Sequence, residues 1–204
     1  MNNSIQSGEY FHVVHRKNYI PYEPLQEGDS FSVGTEINPF FRYYEKAREY
    51  KVKGPDGPMT VPALRFLADI KHGRIKCPDL PKQALSIANH YNTLARELIL
   101  EEVRLRINPK APSRKTCLWV SENLELALIW KKKIIGRSRV MRLRLEGSFH
   151  TGDARLMMNE SEPLSVAYSK AERYWHGDMS DRPLPETLFS GSATVLEEIK
   201  PPKE

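Results

Sequence analysis

Cysteine is scarce in this 204-residue chain: only Cys77 and Cys117 occur, with no Cys-x-x-Cys spacing. That argues against a disulfide framework and a cysteine zinc site, and it fits a reducing compartment. Long apolar runs are missing as well. None approaches the roughly 18 residues needed to span a bilayer, so no membrane is expected as a partner. The opening Met1-Asn2-Asn3-Ser4-Ile5-Gln6-Ser7 lacks a basic segment followed by an apolar core. No signal peptide is read there, and the expected setting is cytoplasmic. Phosphate-binding loops, Gly-x-Gly-x-x-Gly and Gly-x-Ser-x-Gly are absent, so ordinary nucleotide folds and a hydrolase elbow lack support. His72 and His90 have no second ligand at metal spacing, so both are expected to be solvated and no metal is expected.

What is present is ordinary for a soluble globular protein: 40% apolar and 28% charged residues. The length allows one core with a helical insertion. Net charge is +5 and the isoelectric point about 9.1. That balance permits a nucleic-acid or acidic partner without demanding one.

Along the chain, Tyr10 to His15 reads as a short strand, with His12 and Val14 on one side and Phe11, Val13 and His15 on the other. Asn38-Pro39 reads as a helix start leading into Phe40–Ala47, whose aromatic residues suggest a docking face. Gly54 to Pro58 is a loop, and a second helix is expected over Val61–Lys71. Pro81 begins a longer helix that ends before Asn108-Pro109. Ala84, Ile87, Ala88, Tyr91, Leu94, Ala95 and Leu98 form its apolar face, and Glu102 and Arg106 an i, i+4 pair. Thr116–Val120 is a short strand, and Ser121 caps a helix over Glu122–Lys133. Arg139–Leu145 alternates, with Met141, Leu143 and Leu145 inward and Arg142 and Arg144 outward. Phe149–Asp153 turns away. A helix then starts at Pro163, carries Tyr174 and Trp175, and stops at Gly177.

The chain's end carries its most telling carboxylate. Glu186 stands directly before an apolar strand through Leu188-Phe189, followed by a Gly191-Ser192 turn and a second strand through Val195, Leu196 and Ile199. A carboxylate at a strand mouth is held by a sheet and suits a developing positive charge at a fixed point.

Three stretches in order resemble the ADP-ribosyltransferase superfamily, over residues 10–31 and 111–199. Phe11-His12-Val13-Val14 is similar to its first motif, aromatic-His-Gly-Thr, with Val13-Val14 in place of Gly-Thr. Leu118-Trp119-Val120-Ser121 is similar to its second, with Trp119 where such members usually carry Tyr. Glu186-Thr187-Leu188-Phe189 is similar to its third. The second half looks most like the rifampin ADP-ribosyltransferases and related bacterial proteins. The resemblance implies an α+β fold: a split β-sheet core in one domain over residues 1–204, with 38–108 as a helical insertion.

It also implies an NAD-dependent transferase with NAD as co-substrate and no metal. Glu186 would offset the oxocarbenium-like charge of the breaking nicotinamide bond, as in glycoside cleavage. His12 would position NAD from the same cleft, and Trp119 would stack on nicotinamide beside Ser121. Arg114 would pair a pyrophosphate oxygen, and Tyr174 or Trp175 would wall the cleft. Asp153 is the rival carboxylate. Leu184 stands where arginine-modifying members carry Glu or Gln, which argues against an arginine acceptor. The expectation is a bacterial toxin or phage-defence effector acting on a macromolecule, with RNA or DNA favoured over protein. An inhibitory antitoxin or immunity protein would be a partner. The alternatives are an NAD glycohydrolase, with water as acceptor, and a non-catalytic binding module of the same fold.

Overall fold

A computed structural model describes residues 6–15, 25–54, 57–134 and 138–200. The chain is α+β with antiparallel sheets. In order it forms β1 (Gln6–His15), β2 (Ser30–Val33), α1 (Pro39–Glu45), β3 (Glu49–Gly54), β4 (Gly57–Pro62), α2 (Ala63–Lys71) and α3 (Leu80–Ile107). Then come β5 (Leu118–Val120), α4 (Leu124–Lys133), β6 (Ser138–Asp153), α5 (Leu164–His176) and β7 (Pro185–Ile199). Among the described residues no helix is long and apolar enough to cross a membrane.

The main sheet runs β1-β6-β7-β2, and β5 also pairs with β7. β7 therefore has β6 along one edge, while β5 and β2 share the other, at 187–189 and 191–194. At the end of β5, Ser121 and Phe11 exchange two backbone hydrogen bonds of 2.8 and 2.9 Å. This joins β5 to β1 and curls the sheet toward closure.

Alternation on β6 sets the two faces. Met141, Leu143, Leu145 and Phe149 face inward with Tyr10, Val14, Phe31, Val120, Phe189 and Val195. The opposite face, with His150, Gly152 and Leu188, lies under α3 and α5, where Leu100, Val103, Ala171, Tyr174 and Trp175 complete a second core. Arg142 and Arg144 lie off the core side, as the alternation predicts. Their charges are met across the strands by Glu9 and, for Arg142, by Glu197.

Several local readings are corrected. Phe149–Asp153 does not turn away; it continues β6. Gly191-Ser192 is not a hairpin turn, because β7 is one strand from Pro185 to Ile199. Glycine is needed at 191 for two reasons: φ is +145°, and a Cβ there would come within 2.3 Å of the Glu146 carbonyl oxygen. The segment expected to be a helical insertion also holds the β3–β4 hairpin, which packs with α2 in a small core around Val61, Phe66 and Ile87. Asn123, not Ser121, caps α4, accepting from Leu126 N at 2.9 Å.

On α3 the buried stripe is Ile87, His90, Glu97, Leu100 and Arg104, whereas Tyr91 and Leu98 are exposed. Glu102 and Arg106 do not pair with each other. Both reach α5 instead, to Tyr168 and Glu172.

Candidate functional site

The site is built around Arg114, in the loop between α3 and β5. Asn38 fixes that loop. Its Oδ1 caps α1 at Phe41 N, while its Nδ2 donates to the carbonyls of Arg114 (2.8 Å) and Cys117 (3.3 Å). Arg104 adds a clamp, donating to the carbonyls of Pro109 and Ala111.

Arg114 is 2% exposed, and its guanidinium lies between two carboxylates. Its Nε donates to Glu97 at 2.7 Å, from α3, and its Nη1 donates to Glu186, at the start of β7. Nη1 also donates to the Tyr174 hydroxyl at 2.9 Å, and that hydroxyl donates to Glu186 at 2.8 Å. Glu97 is 1% exposed, Glu186 5% and Tyr174 0%. Arg96 pairs with Glu97 from the surface side at 2.9 Å. Two guanidiniums thus balance two carboxylates in a space nearly closed to water. Buried charge persists only when paired in this way.

The electrostatics follow from that pairing. Burial pushes the Glu97 carboxyl up, but the Arg114 and Arg96 guanidiniums outweigh it and hold it below its usual range. Burial would lower the Arg114 pKa, yet the Glu186 and Glu97 charges raise it well above its usual value. Burial and the Glu186 charge push the Tyr174 hydroxyl up, so it stays a donor. The Cys117 thiol is likewise pushed up by burial.

Trp119, on β5 opposite Leu188 of β7, lies on the same face as Glu186. The Arg114 guanidinium carbon is 5.6 Å from its ring centroid and the Phe40 ring 5.4 Å, edge-on. Glu186, Arg114, Tyr174 and Trp119 therefore form one cluster.

His12 does not join it. It is paired with Met141 on the inward face, whereas Glu186 is paired with Gly152 on the helix-covered face. The expectation that His12 and Glu186 line one cleft is corrected: they leave the sheet on opposite sides. His12 Nδ1–H donates to the Trp119 carbonyl at 2.8 Å. Burial lowers its pKa, which that hydrogen bond partly offsets, so the ring is neutral near pH 7. Ser121 contributes through its backbone bridge to Phe11.

Asp153 is a structural carboxylate rather than a rival. It is 0% exposed and accepts from Arg155 N, Ser180 N, Ser180 Oγ and Leu184 N, tying down the loop into β7.

Two members of the cluster were not foreseen. Glu97 sits on the buried stripe of α3 with Arg104, i and i+7, and charged residues on a core stripe are the signal for it. Gly152 is the other. A Cβ there would come within 2.4 Å of the Tyr174 ring, so glycine makes room for that ring.

No curated protein matches the chain. Residues 10–201 match the family described as "Protein of unknown function (DUF2441)", and the chain belongs to that family.

Proposed function

We propose that this protein is an NAD-dependent transferase of the ADP-ribosyltransferase type, with Glu186 as its catalytic carboxylate. The observation that carries the reading is the cluster itself: Glu186 and Trp119 share one face of the sheet, and the Arg114 guanidinium reaches both. The donor set fits NAD chemically. A guanidinium suits pyrophosphate, a flat indole suits nicotinamide, and a carboxylate suits a ribose hydroxyl. NAD would supply the electrophilic ribose carbon.

Glu186 would hydrogen-bond the ribose hydroxyl and offset charge growing at that carbon. Arg114 would hold the anionic part, which requires its Nη1 to exchange Glu186 for phosphate oxygen. Tyr174 would keep its hydrogen bond to Glu186 and hold that carboxylate in place. His12 becomes a positioning residue in this reading, acting on Trp119 through its backbone carbonyl. A macromolecule, with nucleic acid ahead of protein, is the proposed acceptor.

The experiment is nicotinamide release from NAD by the purified protein, wild type against Glu186→Gln, with and without RNA, DNA or a protein extract. Release that requires one macromolecule and is lost in Glu186→Gln supports the transferase. Release without label transfer indicates a glycohydrolase.

A second reading, a non-catalytic binding module, is favoured by one observation. Arg114 already spends its Nε and both terminal nitrogens on Glu97, Glu186 and Tyr174. No release under any condition, and no NAD binding, would leave that reading standing.

A further inference from the structure

The long helix α3 carries an apolar face that the fold leaves open. Ala84, Tyr91, Leu98 and Leu105 stand seven residues apart. Leu80, Ile87 and Leu94 fall between them, in the alternating three- and four-residue spacing of a coiled-coil seam. Within that series only Glu101 is polar. The core around α2 claims Ile87. The later part stays open: Tyr91 is 44% exposed, Leu98 46% and Leu105 58%, with Leu94 and Ala95 partly buried beside them.

The other sides of α3 are taken. Trp175 donates to the Leu100 carbonyl at 2.6 Å, Glu97 meets Arg114, and the Tyr44 ring lies 5.2 Å from that of His90. At 3.6 residues per turn Leu98 points about 160° from Leu100, so the open face looks away from the sheet. α5 borders it. Tyr168 reaches Glu102 and Arg106 reaches Glu172, so the two helices run side by side in the same direction. Leu164, one turn before Tyr168 and 60% exposed, is therefore level with Leu98, one turn before Glu102. Single exposed apolar residues need no explanation, but a line of them at a fixed period does.

The period says that the occupant is a helix. A seven-residue repeat drifts slowly around a straight helix, and a second helix follows it by supercoiling. The charges say which helix. All Asp, Glu, Lys and Arg residues of α3 except Lys82 lie between 96 and 106, and residues 83–95 hold none. An antiparallel copy of α3 sets each charged half against the uncharged half of the other. A parallel copy would set Glu101 and Glu102 against their own counterparts, which repel. The side chains also suit a two-fold axis between Leu94 and Ala95. It brings Leu98 onto Tyr91, Leu105 onto Ala84 and Leu94 onto Ala95 of the other copy.

We infer that the open face of α3 pairs with α3 of a second copy of this chain, antiparallel, about that axis. A helix of 28 residues is about 42 Å long and about 10 Å wide, a footprint of about 400 Å² per copy before the side chains interdigitate. Leu164 and Val166 widen the face toward the ~600 Å² per copy at the low end of specific interfaces. The dimer is accordingly a weak one, with Kd about 10 μM. This assignment does not rest on the transferase reading, because the open face uses none of the residues around Arg114.

The test is sedimentation equilibrium of the full chain from about 1 to 200 μM, a range that brackets the expected Kd. The mass should rise with concentration from 23.5 kDa toward twice that value. Leu98→Asp puts two carboxylates into the seam by symmetry and should weaken the dimer at least about a hundredfold, leaving a monomer throughout. Should Leu98→Asp fail to fold, Leu105→Asp, at a more exposed position, takes its place. Leu85→Asp is the control: Leu85 is 62% exposed on another side of α3, and the change should leave the dimer intact. Orientation is read by mild oxidation in a Cys77→Ala background. Ala84→Cys protein mixed with Leu105→Cys protein should give a linked dimer, and neither should link to itself. The proposal is overturned if the chain stays monomeric at about 200 μM, which would leave the face to a different partner. It is equally overturned if the aspartate variants still dimerise, or if each cysteine variant links to itself, as a parallel pair would.

Discussion

The Tyr174 ring lies over the backbone of Gly152, so close that a Cβ on residue 152 would come within 2.4 Å of ring carbon Cε2. Gly152 is also the register partner of Glu186. The missing side chain on β6 is therefore what lets a tyrosine from α5 lie against the sheet and reach the carboxylate on the next strand.

Gly152→Ala should accordingly push the ring out of line with Glu186. Overpacking of this kind costs about 1–3 kcal/mol. Tyr174→Phe keeps the ring and removes only its hydroxyl, leaving Glu186 and Arg114 each short of one partner, at about 1–3 kcal/mol. Urea unfolding measures both. If the ring position matters through the hydroxyl, the double variant should lose less than the sum of the singles.

Acid should weaken the fold in two stages. Burial pushes His150 down to about 4, against the hydrogen bond its Nε2–H donates to the Tyr174 carbonyl, and Arg114 lowers it further. Its folded pKa is below its unfolded value of 6.5, so the unfolded chain takes up the proton first. The contribution is complete above about 6.5 and is lost as pH falls toward 4, up to about 3 kcal/mol. Asp153 follows. Burial raises its pKa, but four hydrogen bonds outweigh this and hold it at about 2, against an ordinary 3.8. Its contribution, up to about 2 kcal/mol, is present above about 4 and lost as pH falls toward 2. Urea midpoints recorded from pH 8 to pH 2 should show both steps, and His150→Phe should remove most of the first.

Asn38→Ala should cost about 2 kcal/mol, because one side chain does two jobs: it caps α1 and holds the carbonyls on either side of the loop that presents Arg114. Asn38→Asp separates the jobs. It keeps the acceptor for Phe41 N but sets a carboxylate oxygen against the Arg114 and Cys117 carbonyls in place of a donor, so it should recover none of the stability and loosen the loop further. Hydrogen exchange at Thr116 and Cys117 N, both bonded to the Ser113 carbonyl, reads the loop directly.

Much of this frame was legible in the sequence. Asn38-Pro39 and Gly177 mark helix ends through local chemistry, and the alternation at 141–145 follows from the two-residue period of a strand. The β3–β4 hairpin also left a trace: Tyr50 and Val52 alternate with Lys51 and Lys53, but Gly54 to Pro58 reads first as a loop. The site was legible only in parts. Glu186 and Arg114 stand out as single residues, yet Glu97 joins them only because α3 folds back across the sheet. Alternation says that His12 and Val14 share a side of β1, but which layer covers that side depends on how the sheet curls. Gly191 misled because a glycine beside a serine usually marks a turn, whereas here it admits the close approach of two strands.

The sharpest test of the buried cluster is removal of its cation. Arg114→Met fills similar space but leaves Glu97 and Glu186 in a dry interior without their shared partner. Breaking a buried ion pair from one side costs about 3–5 kcal/mol, mostly from the charge left behind. The Glu97 carboxyl, which Arg114 holds below its usual range, should then take up a proton more readily in the folded variant than in the folded wild type. With burial no longer outweighed, the folded pKa of Glu97 rises above its unfolded value, so the variant should be most stable in mild acid and lose stability as pH rises through that folded value. That slope is opposite in sign to the one expected of the wild type below pH 6.5. Glu97→Gln and Glu186→Gln added to Arg114→Met should restore about half of the loss and abolish the reversed slope, since neutral amides carry no charge to desolvate. Urea midpoints of the single and triple variants between pH 5 and pH 8 decide the matter. A single variant that keeps wild-type stability and its pH trend would mean that water reaches Glu97 and Glu186, and that the cluster is an open site rather than a closed one.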